Sequence, residues 1–553
     1  MKITDTSDLW WKTAVIYCLD IETYMDWDGD GRGDIVGLTH RIDHLSALGV
    51  TCLWLMPFYP TPGRDDGYDI TDYYAVDPRL GDLGQFVELI RTANDRGMRV
   101  IVDLVANHTS DQHPWFRESR SRIDSPKRDY YLWRDEPPKN QQETVFPGEE
   151  SSVWELDEKT GQYFLHSFYR HQPDLNIANP KVRDEIARIM GFWLELGVTG
   201  FRVDAVPFFL QLPEGTRGDP HDYLRDLRRF LERRSSEAIL LGEVNLPYEE
   251  QLGYFGGGDG ASQLSMQFDF VGMQALYLSL ARQDATPLVE ALRSRPSLPP
   301  EAQWANFVRN HDELTLDKLT DDERQEVFDA FGPEEHMQIY GRGIVRRLPS
   351  MLDGDPRRIR MVYSLMFSLP GTPVLFYGEE IGMAENLELD GRRTVRTPMQ
   401  WSSAKNGGFS DAAPSRLVSK PPSGGYSPEH VNVVDQRHDT GSLLNFMRLL
   451  TARYRASPEI GWGELEIFDQ ENPALFVHSV SADIGRMIAV HNLSPEAATA
   501  TLTLRGEPEG TVLSDLLESR DQELPRSGRV ELDVDAYGAR WVRVLRPGDH
   551  RLT

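Results

Sequence analysis

Eight short apolar runs recur along the chain, at residues 15–19, 52–56, 100–105, 200–206, 238–244, 264–270, 305–308 and 373–377. Unbroken apolar character over so few residues marks a strand buried on both faces, whereas a half-exposed strand alternates. Between several of these runs, as at residues 83–96 and 182–196, apolar residues fall at helical spacing. A glycine, Gly97 or Gly197, stands just past each end, where a helix stop favours a left-handed residue. Alternation of buried strand and amphipathic helix over most of the first ~450 residues predicts an α/β architecture, the (β/α)8 TIM barrel. A doubly wound open sheet is the competing arrangement, but no glycine-rich phosphate loop follows any run.

Two stretches break the alternation. After Val105 about 75 residues pass before the next convincing helix, rich in Trp, Tyr, Pro and charge (Trp115, Tyr130, Trp133, Trp154, Phe168, Tyr169). A connection of that length is an inserted subdomain after strand 3, its aromatic residues forming a small core. From about Ala456 the period becomes two, as in RVELDVDAYGARWVRVL, which predicts a C-terminal antiparallel β-sandwich. The Pro/Gly/Ser-rich stretch 407–430 is placed as a long loop after the eighth strand, because helical patterning resumes at 441–455. The expected division is therefore 1–105 and 179–456 for the barrel, 106–178 for the insertion and 457–553 for the sandwich.

With 59 Lys and Arg against 87 Asp and Glu, the 553-residue chain carries a formal charge of −28, which repels phosphate backbones and anionic lipid surfaces. Nucleic acid and membrane are thus not expected as partners, and no apolar run approaches the ~20 residues that span a bilayer. A neutral or cationic substrate is easier to admit, and oligomeric state is left open. Residues 1–8 are polar and acidic, without the basic and apolar segments of a secretory signal, so a cytoplasmic location is expected. The two cysteines, Cys18 and Cys52, sit inside apolar runs and are expected as buried free thiols.

In a barrel of this kind chemistry gathers at the C-terminal ends of the strands. Four runs end there in acids: RVIVDLVANH (Asp103, Asn107, His108), GFRVDAV (Arg202, Asp204), ILLGEV (Glu243) and FVRNHD (His311, Asp312). A lone acid in such a place is commonly a helix cap. Several converging carboxylates, with no Cys/His metal spacing and no Ser/His/Asp arrangement, suit glycoside hydrolysis, in which one carboxylate attacks or positions water while a protonated one donates to the leaving oxygen. Arg202 lies two residues before Asp204, on the same strand face, and is expected to keep Asp204 ionised as the nucleophile. Glu243 follows an apolar run that raises its pKa and suits a general acid/base.

These segments, in this order, resemble the signature regions of glycoside hydrolase family 13, the α-amylase family, over essentially the whole chain. The resemblance implies a retaining mechanism with Asp204 as nucleophile, Glu243 as acid/base and Asp312 as the third carboxylate, which binds sugar hydroxyls. His108, Arg202 and His311 match positions that hold the glucosyl unit, and Asp103 one that supports them. QPDLN (172–176) resembles the marker of the oligo-1,6-glucosidase and trehalose synthase branch. RDDGYDITDYY supplies Asp65 and Tyr68, and VRTPMQW supplies Arg396, at positions that close the pocket around a non-reducing-end glucose. The longer strings NHTSDQHPWF, FYRHQPDLN and FVRNHDELTLDKLTDDER look most like trehalose synthase, which implies maltose–trehalose interconversion through a covalent glucosyl-enzyme.

Departures fall on the acceptor side. Val244-Asn245-Leu246-Pro247 and Pro207-Phe208-Phe209-Leu210-Gln211 replace more polar family stretches. They leave hydrolase, isomerase and transferase open. A non-catalytic binding subunit of the same family is disfavoured because all three carboxylates are present. A separate signal is Asp26, Asp28, Asp30 and Asp34 spaced by glycines, a turn suited to a hard cation and not an EF-hand, since Gly37 stands where the bidentate Glu belongs. The resemblance implies a structural Ca2+ or Mg2+ held by these side chains and the carbonyl of Arg32.

Overall fold

A computed structural model of the chain describes residues 9–211, 218–256, 262–518 and 520–549. The acidic stretch 1–8 lies outside the described residues. Strands β1 (Ile16–Leu19), β2 (Cys52–Leu55), β3 (Arg99–Leu104), β4 (Gly200–Val203), β5 (Ile239–Gly242), β6 (Met266–Phe268), β7 (Gln303–Asn306) and β8 (Thr372–Phe376) close a parallel barrel in which β1 pairs with both β2 and β8. Every barrel-strand residue but Arg99 is buried, which is why these runs read as unbroken apolar sequence.

Helix termini follow local chemistry. Asp82 and Gln85 form a capping box at the start of Leu83–Asn94, and Gly97 beyond its end has φ +72°. Asn179 caps Pro180–Glu195, and Gly197 follows with φ +100°. A β-carbon on Gly197 would also stand 2.9 Å from Ile90, so both conformation and space require glycine there.

The insertion carries a three-stranded antiparallel sheet (Trp133–Arg134, Gln162–Leu165, Trp154–Asp157). Phe116, Tyr131, Trp133 and Phe164 stack into its core. Beyond helix Leu443–Arg455 come β9 (Glu464–Ile467), β10 (Leu475–Ala482), β11 (Gly485–Asn492), β12 (Ala498–Thr503), β13 (Val512–Asp515), β14 (Gln522–Glu523), β15 (Arg529–Val534) and β16 (Ala539–Leu545). Six form a sheet in the order β9-β10-β11-β16-β13-β14, and β12 pairs with β15 across from it. Strict alternation in β15 turns Val530, Leu532 and Val534 inward onto Val477 and Val490. The other face of the large sheet lays Phe476, Met487 and Trp541 on the barrel. Buried His478 and His491 there bond Ser368 and Ser364 of helix Pro356–Ser368. Cys18 and Cys52 are buried and unbridged. Among the described residues no helix is long and apolar enough to cross a membrane.

Candidate active site

Parallel register brings Asp204 and Glu243 to one level, with Asp103 level with Arg202 two residues earlier. Asp103 on β3 pairs with Arg202 on β4, and Arg202 with Leu241 on β5, two residues before Glu243. Arg202 is the hub, 1 % exposed. Its Nη1 donates to Asp103 at 2.6 Å and to Asp204 at 2.5 Å, and its Nη2 donates to Glu243 at 2.7 Å. Trp54 Nε1 donates to the other oxygen of Asp103, which holds that carboxylate to the guanidinium. Ala205, directly after Asp204, sits in the left-handed region at φ +47°, a conformation that strains an L-residue, and its N–H donates to Glu243 at 3.1 Å.

The expectation that Arg202 serves Asp204 while Glu243 lies in apolar surroundings needs correction, because the guanidinium forks onto both. Burial pushes Asp204 up to about 6 and Glu243 up to about 7, in each case against the pull of Arg202. The order still favours Asp204 as the anion and Glu243 as the proton carrier, but the asymmetry is smaller than an exclusive pair would give.

The opposite wall is built differently. Asp312, despite its burial, is held well below the usual carboxylate range by Arg392, His311 and Arg396. Arg396 Nη2 donates to it at 3.0 Å and Arg392 Nη1 lies at 2.9 Å, while Arg396 also donates to Asp66 and to the carbonyl of His311. Tyr68 OH and His311 Nε2 are 2.8 Å apart. Gln172 donates to Asp65 at 2.8 Å and lies 3.1 Å from His108. Burial pulls His108 down to about 3 and His311 down to about 4, so both are neutral hydrogen-bonding groups at physiological pH.

A cavity of about 500 Å³ joins these walls. Asp65, Tyr68, His108, Asp204, Glu243 and Asp312 line it directly, whereas Arg202, His311 and Arg396 stand behind and fix them. The sequence missed Arg392, although it stands in the same GRRTVRTPMQW string as Arg396. It also undercounted polar groups on the acceptor side. Phe208 and Leu246 do line the cavity, but so do Asn245, Asn310, Glu313, Thr315 and Asp317, mostly from the segment after Asp312.

Its mouth is clasped. The segment 314–344 carries helix Asp321–Phe331 and a small antiparallel sheet (Leu314–Thr315, Gly343–Ile344, Gln338–Ile339) that meets the insertion. Arg342 Nη2 donates to the carbonyl of Val145 at 2.7 Å, and the Tyr340 and Tyr169 hydroxyls lie 3.3 Å apart. The Phe146 ring sits 5.0 Å from Tyr340 and 4.4 Å from Tyr169 between centroids, with Arg392 over it at 4.9 Å. Phe168 and Tyr169, expected as core residues of the insertion, thus face the cavity and its clasp.

In the acidic turn, ligand oxygens of Asp26, Asp28 and Asp34 lie within 4.8 Å of one another. Asp30 does not join them, and its carboxylate instead accepts from Arg32 N. Asp34 also caps helix Ile35–Leu48, and Asp26 binds Ser410 Oγ at 2.5 Å, so the turn ties that helix to the loop after β8. Three clustered hard oxygens, two of the acids buried, fit a divalent cation. Asn107 and Asp174 hydrogen-bond each other directly at 3.1 Å.

A parallel barrel whose strand ends surround a cavity with two protonatable acids and one fixed carboxylate is built for glycosidic bonds. The model described as Alpha amylase, catalytic domain, matches residues 20–331 and 345–463, and the chain belongs to the α-amylase family, glycoside hydrolase family 13. Residues 485–543 match a sucrose hydrolase-like C-terminal domain. The chain is 41 % identical over 538 residues to a trehalose synthase of Thermus thermophilus, covering 96 % of this chain but 55 % of that protein, so it spans about half that relative's length. It is 39 % identical over 548 residues to a trehalose synthase/amylase of Mycobacterium tuberculosis, covering 97 % of this chain and 90 % of that one. The trehalulose synthase MutB from Pseudomonas mesoacidophila MX-45 superposes with a TM-score of 0.77 at 26 % identity, over 97 % and 99 % of the two chains. The family match leaves out 332–344, the segment that carries Tyr340 and Arg342.

Proposed function

We propose that the protein interconverts maltose and trehalose by glucosyl transfer inside a closed pocket. Asp204 attacks the anomeric carbon while Glu243 protonates the glycosidic oxygen, giving a covalent glucosyl-enzyme and a free glucose. The released glucose turns within the pocket, Glu243 takes the proton from its anomeric hydroxyl, and that oxygen displaces Asp204. The observation that carries this reading is the clasp over a polar acceptor side, which retains glucose and limits competing water. Hydrolysis is the second reading, favoured by the apolar Phe208 and Leu246 beside the acids. Product analysis on maltose separates them. Trehalose accumulating ahead of free glucose supports isomerisation, and two glucoses per maltose from the first minutes supports hydrolysis.

Loosening the clasp should move that balance. Arg342→Ala removes the bond to Val145, and the fraction of turnovers ending in free glucose is expected to rise several-fold, read as the initial glucose-to-trehalose ratio. An unchanged ratio removes the clasp from the account.

The cation site is part of the same proposal. Asp26, Asp28 and Asp34, with the Arg32 carbonyl, would hold one Ca2+ or Mg2+, which neutralises the clustered charge and stiffens the turn. Binding of this kind stabilises by about 2.7 kcal/mol when free ion stands at 100 times Kd. EDTA should therefore lower the melting temperature, re-addition of calcium or magnesium should restore it, and the product ratio should stay constant. A melting curve indifferent to EDTA, together with no divalent ion on metal analysis, defeats this assignment.

A further inference from the structure

Arg309 lies between β7 and His311, is 2 % exposed and does not line the cavity. Among the described residues it forms no ion pair, although burial leaves its pKa near 10 and it remains a cation at neutral pH. An unpaired buried guanidinium is costly unless its donors are used otherwise. Here they are turned onto main-chain and amide oxygens. Nε donates to the carbonyl of Arg346 at 2.8 Å, and Nη1 donates to the carbonyl and side chain of Asn310 and, over a short contact, to the carbonyl of Asp312. Asn310 Oδ1 in turn accepts from Asp312 N at 3.1 Å.

The two ends of this fork reach two parts of the machinery. One is the turn that carries His311 and Asp312. The other is Arg346, two residues beyond the strand Gly343–Ile344 at the root of the clasp segment. Among the described residues the remaining nitrogen, Nη2, has no hydrogen-bond partner, so the hydrogen bonds of the guanidinium all go to these oxygens. We infer that Arg309 is a positioning residue for glucosyl transfer, fixing the main chain of Asp312 against the root of the clasp. A lysine offers a single point of donors in place of a planar fork and cannot span both segments.

The test compares Arg309→Lys and Arg309→Gln with wild type by melting temperature, by kcat and KM on p-nitrophenyl α-D-glucopyranoside, and by product ratio on maltose. A folded Arg309→Lys is expected to lose ~100-fold in kcat, the scale of a small misplacement at a reacting centre, with KM little changed. The share of free glucose from maltose should rise as well. The ratio rests on the isomerase reading, whereas the kcat loss on the aryl glucoside does not. A wild-type enzyme that makes no trehalose therefore sinks that reading and leaves Arg309 to be judged on kcat alone. If either folded variant keeps kcat near wild type, if activity merely tracks melting temperature, or if neither variant folds, the assignment is overturned.

Discussion

Asp204→Asn is expected to lower turnover on maltose by ~10⁴-fold or more, the scale reached when the nucleophile of a covalent mechanism is removed. The carboxamide is a poor nucleophile, and no second carboxylate takes its place. Asp103 is held by both Arg202 and Trp54, and Asp312 is tied to Arg392 and Arg396. The fold should tolerate the change, because Arg202 keeps Asp103 and Glu243 as partners and one buried anion is relieved. Turnover and melting temperature measured on one preparation decide the matter. A folded variant with near-wild-type activity on maltose would falsify the nucleophile assignment.

Glu243→Gln carries the second large effect, a loss of about 10²–10⁴-fold on maltose, whose leaving sugar needs a proton. An α-glucosyl fluoride needs none, so the variant should still release fluoride quickly in a first burst and then stall as glucosyl-enzyme, because the base for the second half is missing. The pH profile supplies an independent sign. Asp204, pushed up to about 6, must be ionised, so the wild-type rate rises as pH passes that value; Glu243, pushed up to about 7, must be protonated, so the rate falls above it. The wild-type profile on maltose is accordingly a narrow bell, and fluoride release by the variant should keep only the rising limb. A falling limb that survives the substitution, or maltose turnover within tenfold of wild type, assigns the proton to another group.

All eight barrel strands were legible because each is buried on both faces and leaves an unbroken apolar run, with caps such as Asp82 and Asn179 marking the helices between. The acids were legible for a related reason, since strand direction alone sends Asp204 and Glu243 to the same end of the barrel. What the sequence hid were relations between segments far apart in the chain. Adjacency pairs Arg202 with Asp204, yet Glu243, 41 residues away, takes its second nitrogen. The polar acceptor wall does not show in the residues next to Asp204 and Glu243, because Asn310, Glu313 and Asp317 come from another strand end. Asp30 alternates with its neighbours as regularly as they do, but the turn sends its carboxylate to a backbone N–H instead. Phe168 and Tyr169 carry the same composition as the aromatic core beside them, and composition does not say which way a ring faces.

In the proposed reaction, substrate arrives and product departs past the contacts of Arg342 with Val145 and of Tyr340 with Tyr169. One lifetime therefore governs two outcomes. If the mouth stays shut longer than the captive sugar needs to turn over, nearly every encounter commits to rearrangement; if it opens sooner, the sugar escapes and water finishes the reaction. A longer dwell raises fidelity and slows throughput together, so variants that work faster by opening sooner should also be the leakier ones. Cooling should favour rearrangement over loss wherever opening, which breaks several contacts at once, has the steeper temperature dependence.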